Sequence, residues 1–330
     1  MVEEGYGKHG PLVTRTGRSL GGRPLAFNQL PAEDLRPWFT WMAITDADLP
    51  PGREISCGML NDHATIRIIF GGRWIATTRD GVREFDPGEG GLSLYFGPQS
   101  HVMPLSVNGP FKVVTLHLGA GCATVLGAPP QAEMLDRIID FDETISTGGQ
   151  LGSHFDPNDD PAEWLAKFER RLRRFMEVRE VQPPDPLALA FEDAMMADPN
   201  LLVKAFAGAH GTSLRTLERV VRRDYGLTPK QALRRARALD LAAALIGVAM
   251  PEEEAELRLR YFDQSHQIRE IRHFFDMTPR QLRERPHPLL TLNLEIRQSR
   301  RVEMLAKLPP GEIKPWRDPE AEPGLESGGD

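Results

Sequence analysis

The hydrophobic period changes once along the chain, at DDPAEW (159–164), and that change divides it into parts of different secondary structure. Before it, ATIRIIF, RWIATT, LSLYF and FKVVTLHL are short runs of β-branched and aromatic residues, the composition of strands. GG at 71–72, RDG at 79–81, DPGEGG at 86–91 and NGP at 108–110 separate them and read as turns. Strands at this spacing predict an antiparallel sandwich or barrel. Residues 1–160 are therefore read as a β-rich domain.

After the change the period is helical. Asp160 is placed as an N-cap, Pro161 at the first helical position and Glu163 as the third member of a capping box. Trp164, Leu165, Phe168, Leu172, Phe175 and Met176 then fall on one stripe. RRLRR (170–174) inside it reads as a solvated face ahead of a phosphate patch. VQPPDP (181–186) breaks the chain, and Asp185 and Pro186 start another short helix. Residues 161–199 are thus read as a helical connector. The segment 309–330, rich in Pro, Gly and acid, is expected to be disordered, and 285–308 is set apart as a C-terminal extension.

Charge singles out one block. The 330-residue chain carries −7 overall, but residues 201–250 hold 9 basic and 3 acidic side chains, +6, against 9 and 9 in 251–300. A basic block in an acidic protein points to a polyanion for that block alone. Cys57 and Cys122 stand in no metal or redox spacing and read as small buried residues of a reducing compartment. The start, MVEEGYGKHG, lacks a basic-then-apolar signal. The longest apolar run, 239–250, is too short for a bilayer. A soluble, cytoplasmic protein without a membrane partner is expected.

VKAFAGAHGTSLRTLERVVRRDYGLTP (203–229) has the form of a helix-turn-helix. A short helix ends near Gly208, Gly211 allows a tight turn and Ser213 caps the next helix. Leu217, Val220 and Val221 face inward; Arg215, Thr216, Glu218, Arg219, Arg222 and Arg223 are left outside. An arginine-bearing face suits a major groove, since arginine pairs with guanine in a bidentate way and with phosphate. The bland alternative is a solvated face. PKQALRRARALDLAAALIGV (229–248) is a long helix with Leu233, Ala236, Leu239, Leu241, Ala244 and Leu245 inward. Nineteen or so residues span about 28 Å, near the roughly 34 Å between successive major grooves. LRLRYFDQSHQIREIRHFFDMTP (257–279) repeats the rhythm.

Here the pattern S-x-x-x-L-x-R with G-x-T-P, followed by Y-x-D-Q-S-H, R-x-I-R and TP, resembles the AraC/XylS family of bacterial transcription regulators over about residues 200–284. The resemblance implies two helix-turn-helix units joined by a long helix, beside a sensing or dimerisation domain. A looser similarity, with LRPWFTWM (35–42) early in a β-rich body, is to the cupin-like sensor domains of some members. The implied fold is two-domain α+β: a cupin-like antiparallel N-terminal domain and an all-α C-terminal one. The implied base-facing residues are Arg215, Glu218 and Arg219 in the first unit and Gln264, Ser265 and Arg269 in the second. Thr216, Arg222, Arg223 and Ile268 complete the expected DNA-binding set, and Asp263 reads as a cap.

The second unit departs from the family pattern at Ala255, Glu256, Arg260 and Gln267, and more mildly at Ile271 and Asp276. By spacing, Gln267 shares a face with Ile271, Phe274 and Phe275. A buried amide without partners costs about 1–3 kcal/mol. This unit is therefore expected to pack more loosely and to add less affinity than the first. LLTLNLEI (289–296) alternates with period two and reads as an added strand or an interface.

For catalysis there is no G-x-S-x-G, P-loop or H-E-x-x-H pattern, and DPGEGG is read as a turn. His63, His101 and His117 lack close H-x-H spacing, and the resemblance makes His266 and Glu270 fold and groove residues. No catalytic residue, metal or cofactor is assigned. The expectation is a sequence-specific regulator of promoter DNA controlled by a small-molecule effector. It would be a homodimer, and would meet RNA polymerase if it is an activator. The alternatives are a cupin-type metal-binding enzyme with an inert helical appendage, and a regulator gated by a partner protein.

Overall fold

The computed structural model describes residues 12–13, 26–50, 52–145, 150–249 and 264–305. The expectations for Ala255, Glu256, Arg260, Asp263 and the segment 309–330 lie outside the described residues. Among the described residues no helix is long and apolar enough to cross a membrane.

The strands are β1 (Leu12–Val13), β2 (Ala26–Gln29), β3 (Phe39–Ala47), β4 (Glu54–Met59), β5 (Thr65–Thr78), β6 (Gly81–Phe85), β7 (Leu92–Phe96), β8 (Met103–Leu118) and β9 (Ile138–Asp140). They form one antiparallel sheet in the order β1-β2-β3-β8-β5-β7-β9, with β4 on β8 and β6 on β5. β5 and β8 are its spine, and their register shifts between Gly71 and Arg73. Gly71 has φ of 65°, and a Cβ there would lie 2.7 Å from the Pro110 carbonyl oxygen. Glycine alone fits. The bend lets β8 pair with β3 on one side of it and with β4 on the other.

Period-two alternation gives the sheet two buried faces. Ile66, Ile68, Phe70, Tyr95 and Leu116 point to one, covered by Trp164, Leu165, Phe168 and Leu172 of α4 (Pro161–Val178). α4 begins with the capping box of Asp160 and Glu163 and with Pro161, as its sequence predicts. It is thus part of the N-terminal body. Three short helices precede it: α1 (Cys122–Val125), α2 (Gln131–Met134) and α3 (Phe141–Thr144). Cys57 is half-buried and Cys122 buried, both as free thiols.

The C-terminal half is helical: α5 (Pro186–Ala197), α6 (Val203–Ala209), α7 (Leu214–Tyr225), α8 (Pro229–Ile246), α9 (Gln264–Phe275), α10 (Pro279–Glu284) and α11 (Pro288–Leu305). Of the two readings of LLTLNLEI, an added strand or an interface, α11 removes the strand. Leu289, Leu290, Leu292, Leu294 and Ile296 are all buried, because the helix is enclosed on several sides. Leu289 and Leu292 cover the second sheet face with Ile69, Trp74, Leu94, Phe96 and Val113. Leu290 and Leu294 instead meet α8 and α9 residues. The extension therefore cements the two halves together.

A candidate nucleic-acid interface

α7 is built as its sequence predicts. The Ser213 side chain accepts from the Thr216 backbone N–H, and Gly226 closes the helix at φ of 70°. Leu217, Val220, Val221 and Tyr225 pack with Phe191 and Phe206 of α5 and α6. Arg215, Glu218, Arg219 and Arg222 are exposed. Thr216 is half-buried, its hydroxyl 2.9 Å from that of Ser213.

Arg223 departs from the set expected on the open face. Its Nε donates to Asp224 at 2.7 Å and its terminal nitrogen to Asp185 at 3.0 Å. These hydrogen bonds to Asp224 and Asp185 hold its pKa above the ordinary arginine value. The guanidinium is occupied in tying α7 to the start of α5. Asp224 also accepts from the Thr124 hydroxyl of α1 at 2.9 Å.

In the second unit Ile271, Phe274 and Phe275 are buried with Leu239, Leu241 and Leu282. Gln267 stands half-buried. Around Gln267 the apolar residues carry the packing and the amide is only partly enclosed. Arg269 is exposed, and Ile268 is 37% exposed. Gln264 and Ser265 occupy the first turn of α9; their side chains lie outside the description. Glu270 is buried and accepts from Arg234 of α8 at 2.7–3.1 Å, so it joins the long helix to the second recognition helix. α8 has 18 residues and is about 27 Å long.

Both α7 and α9 meet the N-terminal body at their C-terminal ends. A Cβ on Gly226 would lie 2.6 Å from the Gln131 carbonyl oxygen of α2. At the end of α9, the Phe274 carbonyl accepts from the Val102 N–H at 2.6 Å. Between these points lies a buried ionic seam. Arg297 of α11 donates to Asp62 at 2.7 Å and also pairs with Asp240 of α8, which holds Arg301 as well. Arg235 of α8 is fully buried and donates to the carbonyls of Gln99 and Asp62. Glu192 of α5 accepts from the Ala120 N–H at 2.8 Å, lies 2.9 Å from His63 Nε2 and pairs with Arg300. Burial pushes the Glu192 carboxyl up, but His63, Arg300 and the Ala120 N–H prevail and bring its pKa to about 2. Burial likewise opposes Asp62, whose pKa is nonetheless lowered by Arg297 and Arg235.

Nothing in the sequence singles out Arg235, Arg297 or Arg301 as members of this seam. His63 and His117 are both buried, whereas the His101 ring is exposed beside Ser100 and Asp136. Among the described residues no group of three His, Cys, Asp or Glu side chains is placed to hold a metal.

A family model described as a helix-turn-helix domain matches residues 206–285. No curated protein matches the chain. Solved structures with a similar course include ToxT from Vibrio cholerae O395, at 8% identity, covering 77% of this chain and 98% of that one, TM-score 0.42. An apo variant of ToxT from Vibrio cholerae strain SCE256 has 11% identity, 73% and 96% coverage and a TM-score of 0.43. The AraC-like transcriptional activator CuxR has 12% identity, 65% and 86% coverage and a TM-score of 0.23. At these scores none of them bears on the site. Residues 206–285 are an AraC-type helix-turn-helix domain, and in coarse terms the chain is a DNA-binding transcriptional regulator.

Proposed function

We propose that this regulator reads promoter DNA mainly through the outer face of α7, and that a small molecule held by the N-terminal body adjusts that reading. The observation that carries the first part is the state of three arginines. Arg215, Arg219 and Arg222 are exposed, and among the described residues none of them has an ion-pair partner, while Arg223 beside them is committed internally. Unpaired guanidiniums on a capped helix match guanine edges and phosphates. Glu218 accepts from a cytosine amino group or orients Arg219. Gln264, Ser265, Ile268 and Arg269 of α9 are assigned the corresponding role, where Ile268 suits a thymine methyl.

Effector control is supported by the fastening of both recognition helices to the body that would hold the effector. A ligand that favours one arrangement of that body shifts DNA occupancy by its differential affinity for the two arrangements. A dimer is supported by the C-terminal end of α4, where Phe175 and Met176 are half-buried and Val178 is 62% exposed. An activator of this design would also meet RNA polymerase.

The test is selection of duplexes from a random library with the full chain, followed by titration of the best site. Arg219→Ala is expected to weaken that site by about 1–3 kcal/mol. Equal affinity of parent and variant overturns the assignment. Light scattering at tens of micromolar checks the dimer, against which a monomer would count.

A further inference from the structure

On the sheet face beneath α11 the strand register sets two rows of side chains. Trp41, His117, Thr65 and Phe96 lie side by side on β3, β8, β5 and β7. One step along, Asn28, Ala43, Thr115, Arg67 and Leu94 do the same. Residues paired across an antiparallel ladder point to the same face, so both rows look toward α11. Ile296 of that helix packs on Trp41 and Ala43.

Arg67 is only 7% exposed. Its Nε donates to the Thr65 hydroxyl at 3.3 Å, and its guanidinium carbon lies 4.7 Å from the Phe96 ring centroid. Among the described residues no carboxylate pairs with it. The other buried guanidiniums are treated differently: Arg235, Arg297 and Arg301 each lie against an aspartate. Desolvation brings the Arg67 pKa down to about 10, which leaves it a cation at neutral pH. A buried cation without an anion is among the costliest arrangements a core can hold.

The same rows hold further unsatisfied groups. Trp41 Nε1, His117 Nε2 and Asn28 Oδ1 are buried without a hydrogen-bond partner, as is Asn293 Nδ2 on α11. Helical spacing puts Asn293 on the face of α11 that carries Leu289, Leu292 and Ile296. Burial, with Arg300 and Arg67 nearby, holds the His117 pKa well below the ordinary range, so His117 is a neutral group. Several donors, one cation and an aromatic ring therefore share a face on which, among the described residues, no carboxylate pairs with the cation.

We infer that the face under α11 binds a monoanionic carboxylate, its head group paired with Arg67 and hydrogen-bonded by Trp41 and His117, its apolar body against Phe96, Leu94 and Ile296. The inference deepens the effector reading above and rests on it. A planar guanidinium fork matches carboxylate and phosphate alike. One buried guanidinium without a carboxylate partner favours the single charge, since a phosphate dianion would leave a charge unpaired. α11 would relay occupancy to the reading heads through Arg297 and Arg300, which grip Asp62, Asp240 and Glu192.

The test uses the full chain with benzoate, octanoate, their primary amides and inorganic phosphate, read by thermal melting and calorimetry. At least one carboxylate is expected to raise the melting temperature by several degrees where its amide does not. Arg67→Met is expected to melt at or above the ligand-free parent and to bind that carboxylate at least tenfold more weakly. Arg67→Lys, which keeps the charge but loses the fork, should fall between them. The inference is overturned if no carboxylate shifts the parent, if the amides or phosphate do as well, if Arg67→Met keeps the affinity, or if Arg67→Met unfolds without ligand. Titration of DNA with and without the carboxylate separates the two claims: binding that leaves DNA affinity unchanged retains the site and removes its effector role.

Discussion

The two recognition helices are solutions to one problem with different residues. α7 and α9 have 12 residues each, and each is followed by a residue at positive φ and then by a threonine-capped helix. Thr228 and Thr278 form capping boxes with Gln231 and Gln281. The residue at positive φ is Gly226 in the first unit, at 70°, and Asp276 in the second, at 53°. Aspartate enters the left-handed region more readily than most side chains, yet still at a cost. At Gly226 the choice is closed twice, by φ and by the Gln131 carbonyl where a Cβ would stand. The turn geometry is therefore common to both units, while the residue allowed there depends on what the N-terminal body presses against it.

The largest effect expected is on what the units share. Asp240 is buried and holds Arg297 and Arg301, so Asp240→Ala strands buried cations and should cost about 3–5 kcal/mol of stability. Denaturant unfolding measures it; a loss below about 1 kcal/mol would mean that the seam does not hold the halves together. The seam also sets an acid limit. Glu192 has a folded pKa of about 2 against an ordinary 4.5. Its contribution is present above pH 4.5 and is lost as pH falls toward 2.

Gly226→Ala comes next, at about 2–3 kcal/mol of destabilisation from φ strain and the Gln131 contact together. An unchanged melting temperature would show that α2 can yield. On DNA, Arg269→Ala is expected to cost less affinity than the 1–3 kcal/mol or so set for Arg219→Ala, because the 251–300 block carries no net charge. If Arg269→Ala proves the more damaging in titrations at equal salt, the ranking of the units is reversed. The smallest effect is a gain: Asp276→Gly should stabilise by about 0.5–1 kcal/mol by relieving the positive φ. Destabilisation would instead reveal a contact made by the Asp276 carboxylate.

How far these features were legible depended on how local their causes are. α7 was readable because its cap, its inward Leu217, Val220 and Val221, and its closing Gly226 lie within fourteen positions. The strands were readable from their turns. α11 was not, because a helix enclosed on several sides hides its period and leucines at 289, 290, 292 and 294 imitate alternation. Arg235 and Arg297 carried no local sign of burial because Asp62, which neutralises them, is 173 and 235 positions away. Arg67 sat inside ATIRIIF with no local sign that its partner is missing. On α9 the shared face of Ile271, Phe274 and Phe275 was readable from spacing, while the partial enclosure of Gln267 on it was not.

We propose that α7 and α9, held by one body, address two separate stretches of DNA, with α7 contributing the larger share. It is tested most directly by the base preferences of the parent, Arg219→Ala and Arg269→Ala, measured position by position across a selected site. The account predicts that each variant relaxes preference at one or two base pairs, and that the two sets lie about one helical turn, roughly 10 base pairs, apart. Loss of preference at the same positions in both variants, or at none in either, would contradict it.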